Sequence, residues 1–134
     1  MRQFKFRIWD TTKKLYLRNK EMWRIRTDTN GEGTISPTCI YFKQHIKGYI
    51  IQQFTGLKDI RGNDIYEGDI LECKWNDFHF YYKVYWLDRT ASFELVFVKE
   101  YDYPNGFDEP ILSWLNLPRL EIAGNEFQNP ELLK

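Results

Sequence analysis

The sequence predicts a mostly β protein built from small twisted antiparallel sheets, on three observations. Apolar and polar residues alternate in several short runs, and this period of two is typical of half-buried strands. Aromatic residues, with 10 Phe, 9 Tyr and 5 Trp, make up 18% of the 134 residues and favour strands. Glycine-containing turn signals separate the runs, and the length suits one domain with a single core.

The N-terminal part reads as short strands joined by turns. Residues 3–9 alternate strictly, with Phe4, Phe6 and Ile8 on one face, so they predict a half-buried strand. Further strands are expected at 15–17, 22–26, 38–43 and 48–54. Residues 27–34 contain Asp, Asn and two Gly without any apolar residue, which predicts an exposed loop.

Residues 53–71, QFTGLKDIRGNDIYEGDIL, place two turns in tandem. Gly62 follows a charged run and Gly68 precedes a new apolar strand, and glycine enters φ > 0 without a Cβ clash. Structural turns are therefore assigned to Gly56, Gly62, Gly68 and Asp69. Short acidic side chains in such turns, Asp64 and Asp69 among them, are expected to accept hydrogen bonds from backbone amides.

The C-terminal part contains the two most strand-like runs, 69–76 and 78–87, and the short link between them predicts a hairpin. In the second run Phe80, Tyr82 and Val84 point to one face. Further expectations are a strand at 93–98, an exposed loop at 100–109, a strand or helical turn at 110–117 and a closing strand at 120–123. Residues 129–133 predict a helical turn with proline at its first position.

Charge is balanced overall but uneven along the chain. The totals are 19 basic and 19 acidic side chains, so the whole protein is not a general binder of phosphate polymers. Residues 1–27 carry nine basic and two acidic side chains, a net of +7, whereas residues 88–134 carry four and nine, a net of −5. Either the two ends meet within the fold or an oligomer, or the basic end contacts nucleic acid.

A reducing compartment is indicated by only two cysteines, Cys39 and Cys73. The N-terminus alternates charged and apolar residues, which is unlike a signal peptide. No run approaches the roughly 18 apolar residues of a membrane span. The expected location is the cytoplasm, with no membrane partner.

Three blocks of the sequence together resemble the YopX protein family. They are FKFRIWD at 4–10; QFTGLKD at 53–59 followed by Gly62 and IYEGDIL at 65–71; and EIAGN at 121–125 followed by NPELL at 129–133. The resemblance implies a protein encoded by phages or prophages, acting in the bacterial host cell, with a core similar to an SH3-like barrel. It also implies one domain, 1–134, divided into N-terminal strands 1–54, a barrel-like core 55–123 and a C-terminal turn 124–134. It implies no activity.

Metal sites find little support. Cys39 and His45 share a spacing with Cys73 and His79, but six extended residues span about 20 Å, so neither pair chelates a metal unless a turn folds it back. The second pair flanks the predicted hairpin, which leaves a zinc site open.

Four carboxylates, Asp59, Asp64, Glu67 and Asp69, could gather around Ca²⁺ or Mg²⁺, although their spacing is not that of an EF-hand. A glycine-rich polar turn is not expected to raise a carboxylate pKa as acid-base catalysis requires. No catalytic residue, metal ligand or cofactor is predicted.

The candidate binding surface comprises Lys74, His79, Tyr81, Lys83 and Tyr85, where aromatic rings alternate with cations on one hairpin face. The leading hypothesis is a non-enzymatic module that binds a protein partner or itself. One alternative is a single-stranded nucleic-acid binder that uses this face and the basic N-terminal quarter. Another is a metal-dependent enzyme acting on nucleic acid through the carboxylates of 59–69.

Overall fold

The structure is a computed structural model that describes residues 5–18, 35–36, 39–40, 45–46, 48–75, 77–101 and 119–134. These residues are mostly β, with antiparallel sheets and a short 3-10 helix at Pro130–Leu133, so the predicted fold class is confirmed. The likeness to an SH3-like barrel stays a prediction. No helix in the described part is long and apolar enough to cross a membrane.

The described strands are short in the first half of the chain and longer in the second. They are β1 Phe6–Asp10, β2 Leu15–Tyr16, β3 Ile35–Ser36, β4 Cys39–Ile40, β5 His45–Ile46, β6 Tyr49–Lys58, β7 Asp64–Tyr66, β8 Asp69–Trp75, β9 Phe78–Leu87, β10 Ser92–Tyr101 and β11 Leu120–Asn125. The chain divides into an N-terminal unit, Phe6–Gln52, and a C-terminal unit, Met1–Lys5 with Gln53–Lys134. The predicted single domain, with its boundaries at 54 and 123, stays a prediction.

The N-terminal unit contains a sheet in which β2, β1, the first part of β6 and β5 lie side by side. β1 and β2 form a hairpin whose register pairs Trp9 with Tyr16, and the two rings meet edge to face at 5.0 Å. β3 and β4 pair separately. The hairpin therefore combines backbone pairing with an aromatic contact across its strands.

The C-terminal unit contains a four-stranded antiparallel sheet in the order β10, β9, β8, β11. Trp75 pairs with Phe78, so two residues connect β8 to β9 and the predicted hairpin is confirmed. β10 pairs with β9 from Ser92 to Tyr101, with a bulge between Phe97 and Lys99. β10 therefore extends beyond the predicted strand 93–98 and takes in the first two residues of the predicted loop 100–109.

The core of the C-terminal unit is formed by alternate residues of its strands. Its buried members are Ile65, Leu71, Cys73, Phe80, Tyr82, Val84 and Leu120. The predicted inward face of β9 is thus confirmed, because successive strand residues point to opposite faces. Cys73 is 1% exposed and burial raises the pKa of its thiol, as fits a core cysteine.

The turn that joins β6 to β7 is held by Asp59, whose carboxylate is buried. Its oxygens accept hydrogen bonds from the backbone N–H of Arg61 at 3.0 Å, of Asn63 at 2.8 Å and of Ile122 at 3.2 Å. Burial alone would raise the pKa of Asp59, but these bonds and one from the Asn63 side chain lower it. The predicted turn at Gly62 has φ +85°, which only glycine adopts without strain.

The turn before β8 is held by Asp69, which is also buried. Its carboxylate accepts from the backbone N–H of Tyr66 at 2.7 Å, as predicted, and from Asn125 Nδ2 at 3.2 Å. Gly68 has φ +79°, as the predicted turn requires. Gly56 has φ +90° but lies within β6, where the pairing with β7 shifts register between Phe54 and Lys58, so the predicted turn at Gly56 is a bulge within a strand.

Asp64 differs from its prediction. Its carboxylate lies 2.7 Å from Lys5 Nζ and 2.6 Å from Lys58 Nζ and thus pairs with lysines. These hydrogen bonds lower the pKa of Asp64. No local pattern joins Lys5 to a carboxylate 59 positions away, because their proximity depends on tertiary structure.

The C-terminal 3-10 helix packs over β11 at Gly124, which confirms the predicted turn at 129–133. Asn129 donates its backbone N–H to Asn125 O at 2.8 Å, and its Oδ1 accepts from Asn125 N at 3.3 Å. A Cβ built at Gly124 would lie 2.6 Å from Asn129 Oδ1 and 2.9 Å from Leu132 Cδ1. Glycine allows this close approach, and a larger residue would displace the Asn129 and Leu132 side chains.

Several predicted elements lie outside the described residues. These are the strand at 22–26, the loop at 27–34, the region 110–117, most of the loop 100–109, and all of the strand at 38–43 except 39–40. The side chains of Cys39 and His45 also lie outside them. The predictions for these segments stay predictions.

We expect Gly124→Ala to destabilise the protein by about 1–3 kcal/mol, because the added methyl group collides with Asn129 and Leu132. Urea unfolding followed by circular dichroism measures the loss. The double variant with Leu132→Ala should lose less than the sum of the two single variants, since the shorter side chain relieves the collision. Strict additivity would contradict the close approach.

Candidate binding surface

The predicted surface residues lie together on one face of the β8–β9 hairpin, opposite the core. The register pairs Lys74 with His79 and Glu72 with Tyr81, and side chains directly opposite each other share a face. Lys83 and Tyr85 follow at alternate positions of β9. We call Glu72, Lys74, His79, Tyr81, Lys83 and Tyr85 the polar face.

Glu72 is the centre of the polar face, although it was not among the residues predicted from sequence. Its Oε1 lies 2.5 Å from His79 Nδ1 and accepts from Tyr81 OH at 2.9 Å, while Oε2 lies 3.4 Å from Lys74 Nζ. The Glu72 side chain is only 13% exposed. Three of the five predicted residues therefore converge on one recessed carboxylate.

The ionised form of Glu72 is stabilised by these contacts. Partial burial by itself would raise the pKa of Glu72, but the hydrogen bonds from His79 and Tyr81, together with the charge of Lys74, lower it. When the imidazole is neutral, its Nδ1 carries the proton donated to the carboxylate and Nε2 is the acceptor. The polar face thus presents an oriented imidazole beside a phenol.

Lys83 is paired at the other end of the polar face. Its Nζ forms a salt bridge with the Glu126 carboxylate, just after β11. Besides the larger effect of burial, both charges act on the Glu67 carboxylate. The charge of Glu126 raises the pKa of Glu67, and the charge of Lys83 lowers it. Both lysines of the polar face consequently have carboxylate partners.

Glu67 corrects one expectation from sequence. A carboxylate in this glycine-containing turn was not expected to have a raised pKa, yet burial raises the pKa of Glu67, and the neighbouring Glu126 adds to the effect. The Gly68 N–H donates to Val84 O at 2.9 Å and Gly68 O accepts from Glu126 N at 3.0 Å, so β9 and the end of β11 cover the turn. The turn is polar in sequence but partly enclosed in the fold.

The proposed ligand sets for metals are not brought together. Cys73 faces the core while His79 lies on the polar face, so this pair cannot bind one ion jointly. Asp59 and Asp69 accept backbone hydrogen bonds, and Asp64 pairs with two lysines. In the described ranges no three His, Cys, Asp or Glu residues form a group that could hold a metal ion.

The two edges of the four-stranded sheet differ. At the β11 edge, Ile60 N donates to Leu120 O at 3.0 Å and the Asp59 carboxylate accepts from Ile122 N. An Arg61–Glu121 salt bridge of 2.7 Å adds to this cover. At the opposite edge, β10 pairs with β9 alone within the part of the chain that the structure describes. Only the β11 edge is capped by the turn at 59–63.

The role of Glu72 had a sequence signal. A two-residue connection fixes the register of a hairpin, and pairing residue 75 with residue 78 places 72 opposite 81 and 74 opposite 79. Glu126 had none, because its side chain reaches Lys83 in β9 only once β11 has paired with β8. Short-range register was thus predictable and the long-range pair was not.

We expect Glu72→Gln and Glu67→Gln to change stability in opposite directions at pH 7. Glu72 has a lowered pKa, so its contribution is fully present above its ordinary value of 4.5 and is lost as pH falls through the folded value. Losing its charged hydrogen bonds should cost about 1–3 kcal/mol at pH 7. Burial penalises ionised Glu67, so Glu67→Gln should be more stable than the parent at pH 7.

Urea unfolding at pH 7 and at about pH 3 measures both effects. At the lower pH both differences should shrink, because the carboxylates approach the neutral state that glutamine imitates. The exposed Asp77→Asn serves as the control for simple charge removal. Changes of the same sign in the two test variants at pH 7 would contradict the assigned environments.

Comparison with known proteins places the chain in a family. A family model described as YopX protein matches residues 5–134, which is essentially the whole chain. The fold is similar to the crystal structure of protein EF1440 from Enterococcus faecalis, with a TM-score of 0.60 and 26% identity over 98% of this chain and 99% of that chain. No curated protein matches.

Proposed function

The chain belongs to the YopX protein family, and we propose that it is a non-enzymatic protein that associates with a second copy of itself through β10. The single observation that carries this proposal is the contrast between the two edges of the four-stranded sheet. The phage origin and the cytoplasm of a bacterial host, which the family resemblance implies, form part of the same proposal.

An edge strand presents a row of unpaired backbone N–H and C=O groups that another strand can bind. The turn at 59–63 occupies this row on β11 by means of the Ile60 and Asp59 contacts. β10 is ten residues long, and its described pairing is with β9 on one side. It therefore offers the longer docking edge.

The apolar side chains of β10 support this choice. Phe93, Leu95 and Phe97 pack against the core, whereas Val96 lies on the opposite face and is 43% exposed. Side chains directly opposite each other on paired strands contact one another on the same face of the sheet. Pairing of β10 would cover the exposed surface of Val96.

A second copy fits this edge because antiparallel pairing of identical strands is self-complementary about a two-fold axis. Val96 is the fifth residue of β10, so a pair centred on it aligns residues 92–100 of one copy with 100–92 of the other. This register places Glu94 opposite Val98, away from the second copy's Glu94. No like charges meet directly across the junction.

The absence of enzymatic activity is proposed because four candidate carboxylates already have structural partners. Glu72 binds side chains of the polar face, Asp59 and Asp69 bind backbone amides, and Asp64 binds lysines. Glu67 has the raised pKa of a general acid, but its neighbours are Glu126 and Lys83, which pair with each other. Such contacts stabilise folded structure.

We expect Val96→Lys to prevent self-association while leaving the monomer folded. The lysine charge on an edge strand opposes a second strand, and the exposed position tolerates a long side chain. Sedimentation velocity across a concentration series should show a dimer for the parent protein and a monomer for the variant. Thermal unfolding by circular dichroism checks that the fold persists.

Leu15→Lys is the matched control, since Leu15 is another exposed aliphatic residue but lies in β2 of the N-terminal unit. This variant should still dimerise. A parent protein that remains monomeric at every soluble concentration would contradict the proposal. So would a dimer that is unaffected by Val96→Lys or equally weakened by Leu15→Lys.

A further inference from the structure

The two compact units carry opposite charges within a neutral chain. Residues 6–52 of the N-terminal unit include nine basic and four acidic side chains, a net of +5. The C-terminal unit includes the remaining ten basic and fifteen acidic side chains, a net of −5. The excess of positive charge is therefore a property of one unit, which the neutral total conceals.

Part of this excess lies on the β1–β2 hairpin, residues 6–18. Its cations are Arg7, Lys13, Lys14 and Arg18, and its one carboxylate is Asp10. Asp10 is only 3% exposed, and its Oδ1 accepts from Thr12 N at 2.9 Å and from Lys13 N at 2.8 Å. The negative charge is recessed and the lysines of the turn are exposed.

The hairpin turn is organised before any ligand arrives. Lys14 donates its backbone N–H to Asp10 O at 2.9 Å and has φ 57°, while Thr11 donates both N–H and Oγ1–H to Gly48 O. The Lys13 side chain is 64% exposed, with its Nζ at 4.0 Å from the Asp10 carboxylate. Two exposed lysines, adjacent in sequence, are thus held on a fixed backbone, which lowers the entropy cost of binding an anion.

The lysines of the C-terminal unit provide a contrast. Lys58 Nζ lies 2.6 Å from Asp64, and Lys74 is paired with Glu72. Their side chains are 57% and 58% exposed, close to the value for Lys13, so exposure alone does not separate the two groups. The difference is the distance to the carboxylate, which is 2.6 Å for Lys58 and 3.4 Å for Lys74 but 4.0 Å for Lys13.

We propose that the β1–β2 hairpin binds the phosphate backbone of nucleic acid without sequence preference. Neighbouring lysines suit a ligand whose charges repeat every few ångströms along a strand. Tyr16 is not offered for base stacking, because the Arg7 guanidinium lies 4.7 Å from its ring and Trp9 packs against it. The hairpin surface therefore recognises the phosphates and not the bases. This recognition does not depend on the pairing of β10.

The test measures fluorescence anisotropy of a labelled single strand and of its duplex at salt concentrations of about 50–200 mM. For about four phosphate contacts, duplex affinity should fall on the order of 100-fold across this range. The variant Lys13→Gln/Lys14→Gln should lower the magnitude of the log–log salt slope by about 2 and weaken binding at least about 10-fold at low salt. If the double variant does not fold, Lys13→Gln alone is measured instead, and it should lower the magnitude of the slope by about 1.

Lys58→Gln/Arg61→Gln is the matched control, with the same change in charge at similarly exposed positions of the other unit, outside the polar face. It should bind nucleic acid as the parent does. Equal weakening by the control, no binding by the parent protein, or a salt slope unchanged in the hairpin variants would overturn the proposal. So would equally tight binding of poly-glutamate, because an acidic polypeptide would then be an equivalent ligand.

Discussion

The C-terminal unit depends on two buried carboxylates, Asp59 and Asp69, that accept hydrogen bonds from the protein's own backbone. A buried carboxylate is costly unless donors surround it, so each one holds its turn in a single arrangement. Asp59 reaches Ile122 in β11, and Asp69 reaches Asn125 at the end of the same strand. The last strand is therefore positioned by acidic side chains more than fifty residues earlier in the sequence.

The turn residues and the strand periods could be read from sequence because they follow from local chemistry. Gly62 and Gly68 occupy φ > 0, and alternation along β9 separates core residues from polar ones. Contacts between distant segments could not be read in this way. The pairing of Lys5 with Asp64, the salt bridge of Lys83 with Glu126 and the partial burial of Glu67 all require the assembled sheet.

The candidate site could likewise be predicted only where local chemistry determines it. All five predicted residues lie on one face, because period two in β8 and β9 requires it. The interpretation of this face changes when Glu72 is included. Its recessed carboxylate contacts His79, Tyr81 and Lys74, so the face is a hydrogen-bonded cluster with balanced charge and not a basic, aromatic surface. The C-terminal unit carries a net charge of −5 and the N-terminal unit one of +5, so the two parts differ in electrostatic character, although each contains antiparallel pairs of similar type.

Cys73 lies in the middle of the core of the C-terminal unit, between β9 and β11, with its thiol shielded and its pKa raised by burial. A thiol reacts as the thiolate, and its reagent must be able to reach it. In the closed sheet the raised pKa disfavours the thiolate, and burial keeps the reagent away. Electrophiles and oxidants gain access only when β8 separates from its neighbours. The rate at which the Cys73 thiol is modified is therefore set by how often the sheet opens, so modification of this residue reports opening of the fold.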